Sequence, residues 1–299
     1  MRISRKLAGW VCLSVLLVVT GFVGCTTSAV ETKVPGVRLV QDDLGRSVKV
    51  PEKVERIVSL APSLTESIYA VGAGSKLVGV TTYCNYPEAA EPIEKVGDTQ
   101  TPNIERIVAL KPDVVFVSTA SQLEAFMRTL DQQGIAVYVM DAKSLGEVMD
   151  DLRTLGDLLG TNTTAEQLAN GLNERVAKVE GESSTRPTLR AFVQISNEPL
   201  FTIGKDSFLT ELVAKAGGSS VTKDVPSGYP KLSKETASAM SPDVIILSDS
   251  EDNREPNAVF KNSPAVKAGR VYRINADIIS RPGPRLVDAL EQIAEFLRK

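Results

Sequence analysis

The feature that most constrains the fold is an arrangement that occurs twice: a helical segment, a Pro-Asp pair and an apolar strand. In the first half it reads "IERIVALKPDVVFVS", residues 104–118, and in the second half "KETASAMSPDVIILS", residues 234–248. Each half also has an earlier apolar strand, Arg56–Leu60 or Leu189–Ile195, before a helical stretch that ends in glycines. Runs of β-branched residues between helices are typical of buried parallel strands. The duplication therefore predicts an α/β fold of two lobes, each with a mostly parallel sheet flanked by helices.

A long helical segment separates the two halves. Thr163 to Glu166 has the spacing of a capping box, and apolar residues then recur at helical spacing from Leu168 to Val179. We interpret residues 161–183 as one helix that links the lobes; the alternative is a crossover helix within one large sheet. The predicted N-terminal lobe covers residues 37–160 and opens with a β-hairpin in "VRLVQDDLGRSVKV". The predicted C-terminal lobe covers residues 184–299.

The first two dozen residues have the composition of a secretory signal. Three cations open the chain, and an apolar run follows that ends at Gly24 and Cys25. The run also approaches the length of a transmembrane anchor. Small residues directly before a cysteine resemble a bacterial lipoprotein signal, so we expect cleavage of residues 1–24 and lipidation of Cys25. We expect residues 25–36 to form a polar tether and the lipid to anchor the protein to the cytoplasmic membrane, in the cell envelope and outside the cytoplasm.

Composition excludes several classes of function. The chain has 34 Lys and Arg against 37 Asp and Glu, without a basic block, which argues against nucleic-acid binding. It has no histidine, the usual general base and the commonest metal ligand. Once Cys12 leaves with the signal and Cys25 carries lipid, Cys84 alone can form neither an internal disulfide nor a zinc site. We therefore expect a binding protein without catalytic residues, metal site or cofactor. An envelope enzyme that uses carboxylates, or an adhesion or sensor lipoprotein, remains an alternative.

Three stretches resemble the periplasmic binding proteins for cobalamin and ferric siderophores, the substrate-binding components of ABC importers. They are "RIVSLAPSLTESIYAVGAGSKLVGVTTYCNYPEAA", "NIERIVALKPDVVFV" and "ISNEPLFTIGKDSFLTELVAKAGG". The resemblance runs from about Val37 to Lys299. It implies two α/β lobes joined by a single long helix, and modest closure on ligand binding. It also implies partners: a small-molecule ligand, and the transmembrane permease subunits with their ATPase. We expect the protein to be a monomer.

The resemblance also implies a docking role for one glutamate on each lobe, at Glu66 and Glu235, which would bind arginines of the permease. Both residues have local explanations as well. Ser63 to Glu66 has capping-box spacing, and Glu235 lies in the first turn after a predicted N-cap at Ser233. The two roles are compatible, because a carboxylate at a helix N-terminus can also face outward and bind a guanidinium.

The ligand should lie against loops at the carboxyl ends of the strands, where α/β sheets bind ligands. The loops "TTYCNYPE", "PSGYPKLS" and "NADIISRPGPR" offer tyrosines, an aspartate and an arginine. Tyrosine combines an apolar face with a hydroxyl, which suits the rim of a corrin ring or a catecholate complex. Tyr86 is a candidate from its loop, and by resemblance to the cobalamin-binding members the other candidate positions are Tyr83, Thr99, Ser118, Tyr229, Asp277 and Arg281. Cys84 is expected to be a small buried hydrophobe rather than a ligand.

A cleft with tyrosines and no histidine favours cobalamin or a related corrinoid, because its cobalt arrives already ligated. A ferric siderophore remains open, since such complexes are commonly anionic and Arg281 and Arg285 carry positive charge. Haem also remains open, because a tyrosine can be its axial ligand. The sequence departs from the family in its aromatics. The only tryptophan, Trp10, lies in the predicted signal, and Thr99 and Ser118 stand where the family often has large rings.

Overall fold

The computed structural model describes residues 36–118 and 123–299. The predicted signal, Cys25 and almost all of the predicted tether lie outside these residues. The described part of the chain contains no helix long and apolar enough to cross a membrane.

The chain enters the N-terminal lobe through the predicted β-hairpin, formed by β1 (Val37–Gln41) and β2 (Ser47–Pro51). Its turn is organised by the buried carboxylate of Asp42, which accepts hydrogen bonds from two backbone N–H groups and from the Arg46 side chain. The hairpin also lies against the edge of the first sheet, since the Asp43 N–H donates to the Val139 carbonyl at 3.2 Å. This contact covers a strand edge that would otherwise present unpaired backbone groups.

The first sheet has four parallel strands in the order β4-β3-β5-β6. They are β3 (Ile57–Ser59), β4 (Leu77–Val80), β5 (Val114–Val117) and β6 (Ala136–Val139). The helices of this lobe are α1 (Pro62–Ala70), α2 (Ile104–Ala109), α3 (Leu123–Gln132) and α4 (Leu145–Leu159).

Helix α5 (Asn162–Ser183) is the predicted linking helix. It packs against α4 on one side and against α10 (Leu286–Phe296) and α6 (Phe208–Lys215) on the other. Arg175 of α5 pairs with Asp288 and Glu291 of α10. The helix therefore belongs to the packing of both lobes, and its apolar face, Leu168 to Val179, lies in or against one core cluster that contains residues of both.

The second sheet is parallel except for one short strand. Its order is β11-β10-β7-β8, with β9 also paired to β7 and β8 antiparallel. The strands are β7 (Leu189–Ser196), β8 (Phe201–Thr202), β9 (Gly218–Ser220), β10 (Val244–Asp249) and β11 (Val271–Asn275). The remaining helices are α7 (Lys234–Ser238), α8 (Pro264–Lys267) and α9 (Ala276–Ser280). The two-lobed α/β fold is confirmed.

The repeated Pro-Asp pair has the same structural use in both lobes. The Asp113 carboxylate accepts hydrogen bonds from the N–H groups of Glu55 and Arg56, just before β3, at 2.7 and 2.8 Å. The Asp243 carboxylate likewise accepts from the N–H of Arg190 in β7 at 3.0 Å. Each aspartate thus ties the start of a Pro-Asp strand, β5 or β10, to the strand beside it. The duplication reflects this shared construction.

Two predictions of local structure were wrong. Helix α1 begins at Pro62 with Ala61 as its N-cap and no side-chain cap, so Ser63 and Glu66 do not form a capping box. Proline at the first helical position starts the helix by its fixed φ instead. The capping box at Thr163 is also absent, because the N-cap of α5 is Thr161, two residues earlier, and it makes no side-chain cap. Glu166 pairs with Arg153 of α4 at 2.9 Å instead.

Candidate ligand-binding cleft

The loop after β4 carries two exposed tyrosines and is held in place by a buried cysteine between them. Cys84 is buried, and its Sγ lies 3.2 Å from Oγ1 of Thr65 and 3.1 Å from Oγ1 of Thr81. These contacts fix the middle of the loop against α1 and the end of β4. The tyrosines before and after Cys84 are exposed to solvent: Tyr83 is 62% exposed and Tyr86 is 47% exposed. Exposed aromatic rings held on an anchored loop are suited to contact a large, flat ligand.

Glu66 lies in the second turn of α1, and its side chain is only 2% exposed. Its carboxylate accepts hydrogen bonds from two arginines that come from beyond the linking helix. Arg281 donates from Nη1 to Oε1 at 2.8 Å. Arg285 donates from Nε to Oε2 at 2.8 Å and from Nη2 to Oε1 at 2.6 Å, a two-pronged arrangement that matches the geometry of a carboxylate.

Asn85 makes a second connection between the lobes. Its Nδ2 donates to Oδ2 of Asp277 at 2.9 Å, and its Oδ1 accepts from Nη1 of Arg281 at 2.8 Å. Arg281 also pairs with Oδ1 of Asp277 at 2.7 Å. Asn85, Asp277 and Arg281 therefore form a closed ring of hydrogen bonds, which orients the guanidinium of Arg281.

Two further contacts complete this region. The guanidinium carbon of Arg285 lies 4.1 Å from the centre of the Tyr86 ring, a cation–π contact. A Cβ added to Gly283 would lie 3.4 Å from the Ser63 carbonyl, so the Pro-Gly-Pro turn packs closely against the start of α1. We call the set of contacting side chains the inter-lobe junction; its members are Glu66, Asn85, Tyr86, Asp277, Arg281 and Arg285.

The charges of the inter-lobe junction balance, with two carboxylates against two guanidinium groups. Burial opposes the charge of Arg285, but the hydrogen bond and the negative charge of Glu66 outweigh it and raise the pKa of Arg285 above its usual value. Burying charged groups is costly unless they are paired and hydrogen-bonded. The two arginines are thus already neutralised by protein groups.

The structure brings together four of the predicted ligand residues. Tyr86, Asp277 and Arg281 belong to the inter-lobe junction, and the carbonyl of Tyr83 lies 3.4 Å from Nη2 of Arg281. Sequence reasoning missed Asn85 and assigned Glu66 to permease docking and helix capping rather than to a contact between the lobes. The signal for Asn85 was its place between the two tyrosines of one predicted loop.

The other predicted ligand residues lie on other segments of the chain. Tyr229 is half-exposed on the loop before α7; burial raises the pKa of its hydroxyl, and a hydrogen bond with Ser207 opposes that shift. Thr99 lies in the turn that follows Asp98, and Ser118 directly follows β5; both are half-buried.

Glu235 is exposed in the first turn of α7, and Ser233 is the N-cap of this helix, as predicted. Hydrogen bonds from its own backbone N–H and from Ser233 hold the pKa of the Glu235 carboxyl below its usual value. The carboxylates of Glu66 and Glu235 thus have opposite surroundings. The first is enclosed by arginines of this chain, and the second faces solvent.

Three cavities lined by described residues lie away from the inter-lobe junction, with volumes of about 880, 460 and 400 Å³. None of the three is lined by a predicted ligand residue. The smallest is acidic, and burial together with the negative charges of Asp43 and Glu147 raises the pKa of Asp151 in its wall to about 8. Within the described part of the chain, no group of three or more Cys, Asp or Glu side chains could hold a metal ion.

A model of the periplasmic binding protein family matches residues 57–278. A vitamin B12-binding protein of Vibrio cholerae is 32% identical over 250 residues, which are 83% of this chain and 91% of that protein. YvrC of Bacillus subtilis, an uncharacterized ABC transporter substrate-binding lipoprotein, is 32% identical over 267 residues, 86% of this chain and 84% of its own length.

Solved structures agree with these relatives. The vitamin B12-binding protein BtuF of Vibrio cholerae superposes with a TM-score of 0.72 at 32% identity, over 83% of this chain and 98% of that one. A possible iron-binding solute-binding protein of Staphylococcus epidermidis superposes with the same TM-score at 27% identity, over 83% and 100%. These relatives are solute-binding proteins rather than enzymes.

Proposed function

The chain belongs to the periplasmic binding protein family, and we propose that it is the substrate-binding lipoprotein of an ABC importer whose ligand is cobalamin or a related corrinoid. The ligand is held between the lobes and passed to the permease without chemical change. The observation that carries this proposal is the 32% identity to a vitamin B12-binding protein over nearly the whole described chain.

The exposed tyrosines support a corrinoid. Tyr83 and Tyr86 stand on an anchored loop beside the inter-lobe junction, where they can cover the face or edge of a wide ring. Such a ligand needs shape and hydrogen bonds rather than a metal ligand from the protein. The absence of histidine from the sequence is compatible with that demand.

The charge balance of the inter-lobe junction also supports a ligand with little net charge. Arg281 and Arg285 are the cations that an anionic siderophore complex could use, and both are paired with Glu66 or Asp277. An anionic ligand would have to displace those carboxylates from close contacts. Cyanocobalamin carries no net charge and makes no such demand.

Anchoring and docking are part of the same proposal. Cys25 carries the lipid, as the lipoprotein description of YvrC supports. Glu235, exposed on α7, contacts the permease directly. Docking through Glu66 requires its hydrogen bonds with Arg281 and Arg285 to open first, because they enclose the carboxylate.

Equilibrium dialysis of the full chain, purified in detergent, against cyanocobalamin tests the ligand, with a ferric siderophore and haem as competitors. We expect saturable one-to-one retention of cobalamin that neither iron complex displaces. If cobalamin is not retained, the corrinoid assignment is wrong, and an iron complex becomes the leading candidate for the ligand.

Substitution of the tyrosines locates the ligand. We expect Tyr83→Ala to weaken cobalamin binding by roughly tenfold, because a lost aromatic contact costs about 1–2 kcal/mol. Leu39→Ala is the matched control: Leu39 is 59% exposed, close to the value for Tyr83, but it lies on β1. Equal effects of the two substitutions would place the ligand away from the loop of Tyr83.

A ferric siderophore is the second candidate, and the likeness to the possible iron-binding protein of Staphylococcus epidermidis favours it. The competition arm of the dialysis separates the two. Displacement of cobalamin by the siderophore at comparable concentration, or retention of the siderophore alone, would make iron uptake the function.

A further inference from the structure

The hydrogen bonds of Glu66 serve the contact between the lobes rather than its own helix. Helix α1 starts at Pro62 and has no side-chain cap, so its local structure does not require the Glu66 carboxylate. Within the described residues, the three hydrogen bonds to its oxygens come from Arg281 and Arg285, beyond the linking helix. A carboxylate buried in this way and held by two guanidinium groups fixes the position of both.

Asn85 supplies what a carboxylate alone does not, a restraint on orientation. Its amide accepts from Arg281 and donates to Asp277, while those two residues pair with each other. An amide in such a ring contacts both partners only in one arrangement of the guanidinium plane. Arg281 therefore has its position set by Glu66 and its orientation set by Asn85.

We propose that Glu66 and Asn85 are positioning residues of the ligand cleft, which hold Arg281 and two chain segments in the binding arrangement before the ligand arrives. The segments are the loop of residues 83–86, and residues 276–285, which are helix α9 and the turn after it. We call these two segments the cleft loops. This inference rests on the proposed function for the identity of the ligand. Neither residue needs to touch the ligand. Each acts through Arg281 and, for Glu66, also through Arg285, which lies over the Tyr86 ring.

The expected consequence is pre-organisation. A free arginine side chain loses rotamer freedom when a ligand orders it, and an ordered one has already lost that freedom on folding. If the restraints are removed, the ligand must order Arg281 and both loops itself. We expect about tenfold weaker cobalamin binding for Glu66→Gln, because this change loosens both Arg281 and Arg285, and about threefold for Asn85→Ala, because it loosens Arg281 alone.

The experiment combines two measurements on the full chain, purified in detergent. Equilibrium dialysis gives the affinity for cyanocobalamin. Hydrogen exchange of the ligand-free protein, followed by mass spectrometry, gives the opening of each loop without reference to any ligand. We expect Glu66→Gln to speed exchange in residues 83–86 and in residues 276–285 together, although only one of these loops is near it in sequence.

Glu291→Gln is the matched control. Glu291 also accepts two hydrogen bonds from one arginine, Arg175, at 2.9 and 2.7 Å, but the pair joins α5 to α10 and does not touch the inter-lobe junction. We expect it to leave both the affinity and the exchange of the two loops unchanged. An equal effect of Glu291→Gln would overturn the proposal, because the loss of any arginine–carboxylate pair would then weaken binding and speed exchange.

The outcomes separate this inference from the proposed function. If the wild-type chain does not retain cobalamin, the ligand assignment fails, and exchange in the two loops still decides the positioning role. If wild type binds and Glu66→Gln binds equally well with unchanged exchange, the positioning role is wrong. If Glu66→Gln does not fold, Asn85→Ala decides, because Asn85 lies on an exposed loop; unchanged affinity and exchange there would overturn the proposal.

Discussion

Glu66 and Glu235 are the same residue type, one in each lobe, yet the structure surrounds them in opposite ways. Glu66 lies inside α1 with its carboxylate enclosed by Arg281 and Arg285. Glu235 lies in the first turn of the five-residue helix α7, in solvent, beside its N-cap Ser233. A carboxylate near a helix start can therefore stabilise its own helix or bind a distant segment. The direction of its side chain decides which.

The starts of the two helices explain part of the difference. Helix α7 begins with a serine whose hydroxyl accepts from the Thr236 N–H, so the acidic first turn lies at the positive end of the helix. Helix α1 begins with Pro62 and has no acidic residue in its first turn. Glu66 lies one turn further along the helix, where its carboxylate contacts Arg281 and Arg285, the two arginines that flank the Pro-Gly-Pro turn of the other lobe.

The largest expected effect is that of Glu66→Ala on stability. Removing the carboxylate leaves the mostly buried guanidinium of Arg285 without its carboxylate partner and Arg281 with Asp277 alone, and breaking a buried pair in this way costs about 3 kcal/mol. Urea unfolding should show this loss as a lower midpoint, while Glu235→Ala leaves the midpoint unchanged. Equal midpoints for the two variants would contradict the contrast and indicate that Glu66 is solvated in solution.

Asp151 is a third case beside Glu66 and Glu235, because it is a mostly buried carboxylate surrounded by acids rather than arginines. Burial and its acidic neighbours raise its pKa from 3.8 to about 8. The folded state therefore keeps a proton that the unfolded state has lost, so the free energy of unfolding falls as the pH rises from about 4 to 8. We expect Asp151→Asn to remove on the order of 1–2 kcal/mol of this fall.

Urea unfolding at pH 5 and pH 8 measures this dependence. Asp157→Asn is the control, since Asp157 lies exposed on the same helix and pairs with Arg38. It should leave the difference between the two pH values as in wild type. If the difference between the two pH values is the same in Asp151→Asn as in wild type, Asp151 does not keep its proton in the folded state.

The smallest expected effect concerns the helix starts themselves. Ser233→Ala removes the hydroxyl that accepts from the Thr236 N–H and should cost about 1 kcal/mol of unfolding free energy. Ser63→Ala should cost less than half as much, because Ser63 does not cap α1. Thermal unfolding can compare the two variants. A larger cost for Ser63→Ala would mean that α1 starts at Ser63, as the sequence pattern suggested.

The fold was predictable because its signals are local and repeated. The apolar β-branched runs at β5 and β10 predicted buried parallel strands, and the helical spacing from Leu168 to Val179 predicted the linking helix; both are confirmed. The capping boxes failed for a physical reason. The motif fixes only a spacing of residue types, and a neighbouring proline or a helix start two residues earlier leaves the same residues with other partners.

The site was only partly predictable. The tyrosine loop and the segment around Arg281 stand out in the sequence as polar and aromatic loops beside prolines. Their contact does not, because Asn85 and Asp277 are 192 positions apart in the chain. The pairing of Glu66 with Arg281 and Arg285 needs the relative placement of α1 and the Pro-Gly-Pro turn, which no local pattern encodes.

The sequence by itself determined the two α/β lobes, the helix between them and the loops that carry exposed tyrosines. Each of these follows from periodicity and turn chemistry within about twenty neighbouring residues. Only the tertiary structure decided that Glu66 is enclosed while Glu235 is exposed, and that Asn85 bridges the lobes. Charged side chains are long and can reach several partners, so which charge they meet depends on how the two lobes pack across the linking helix.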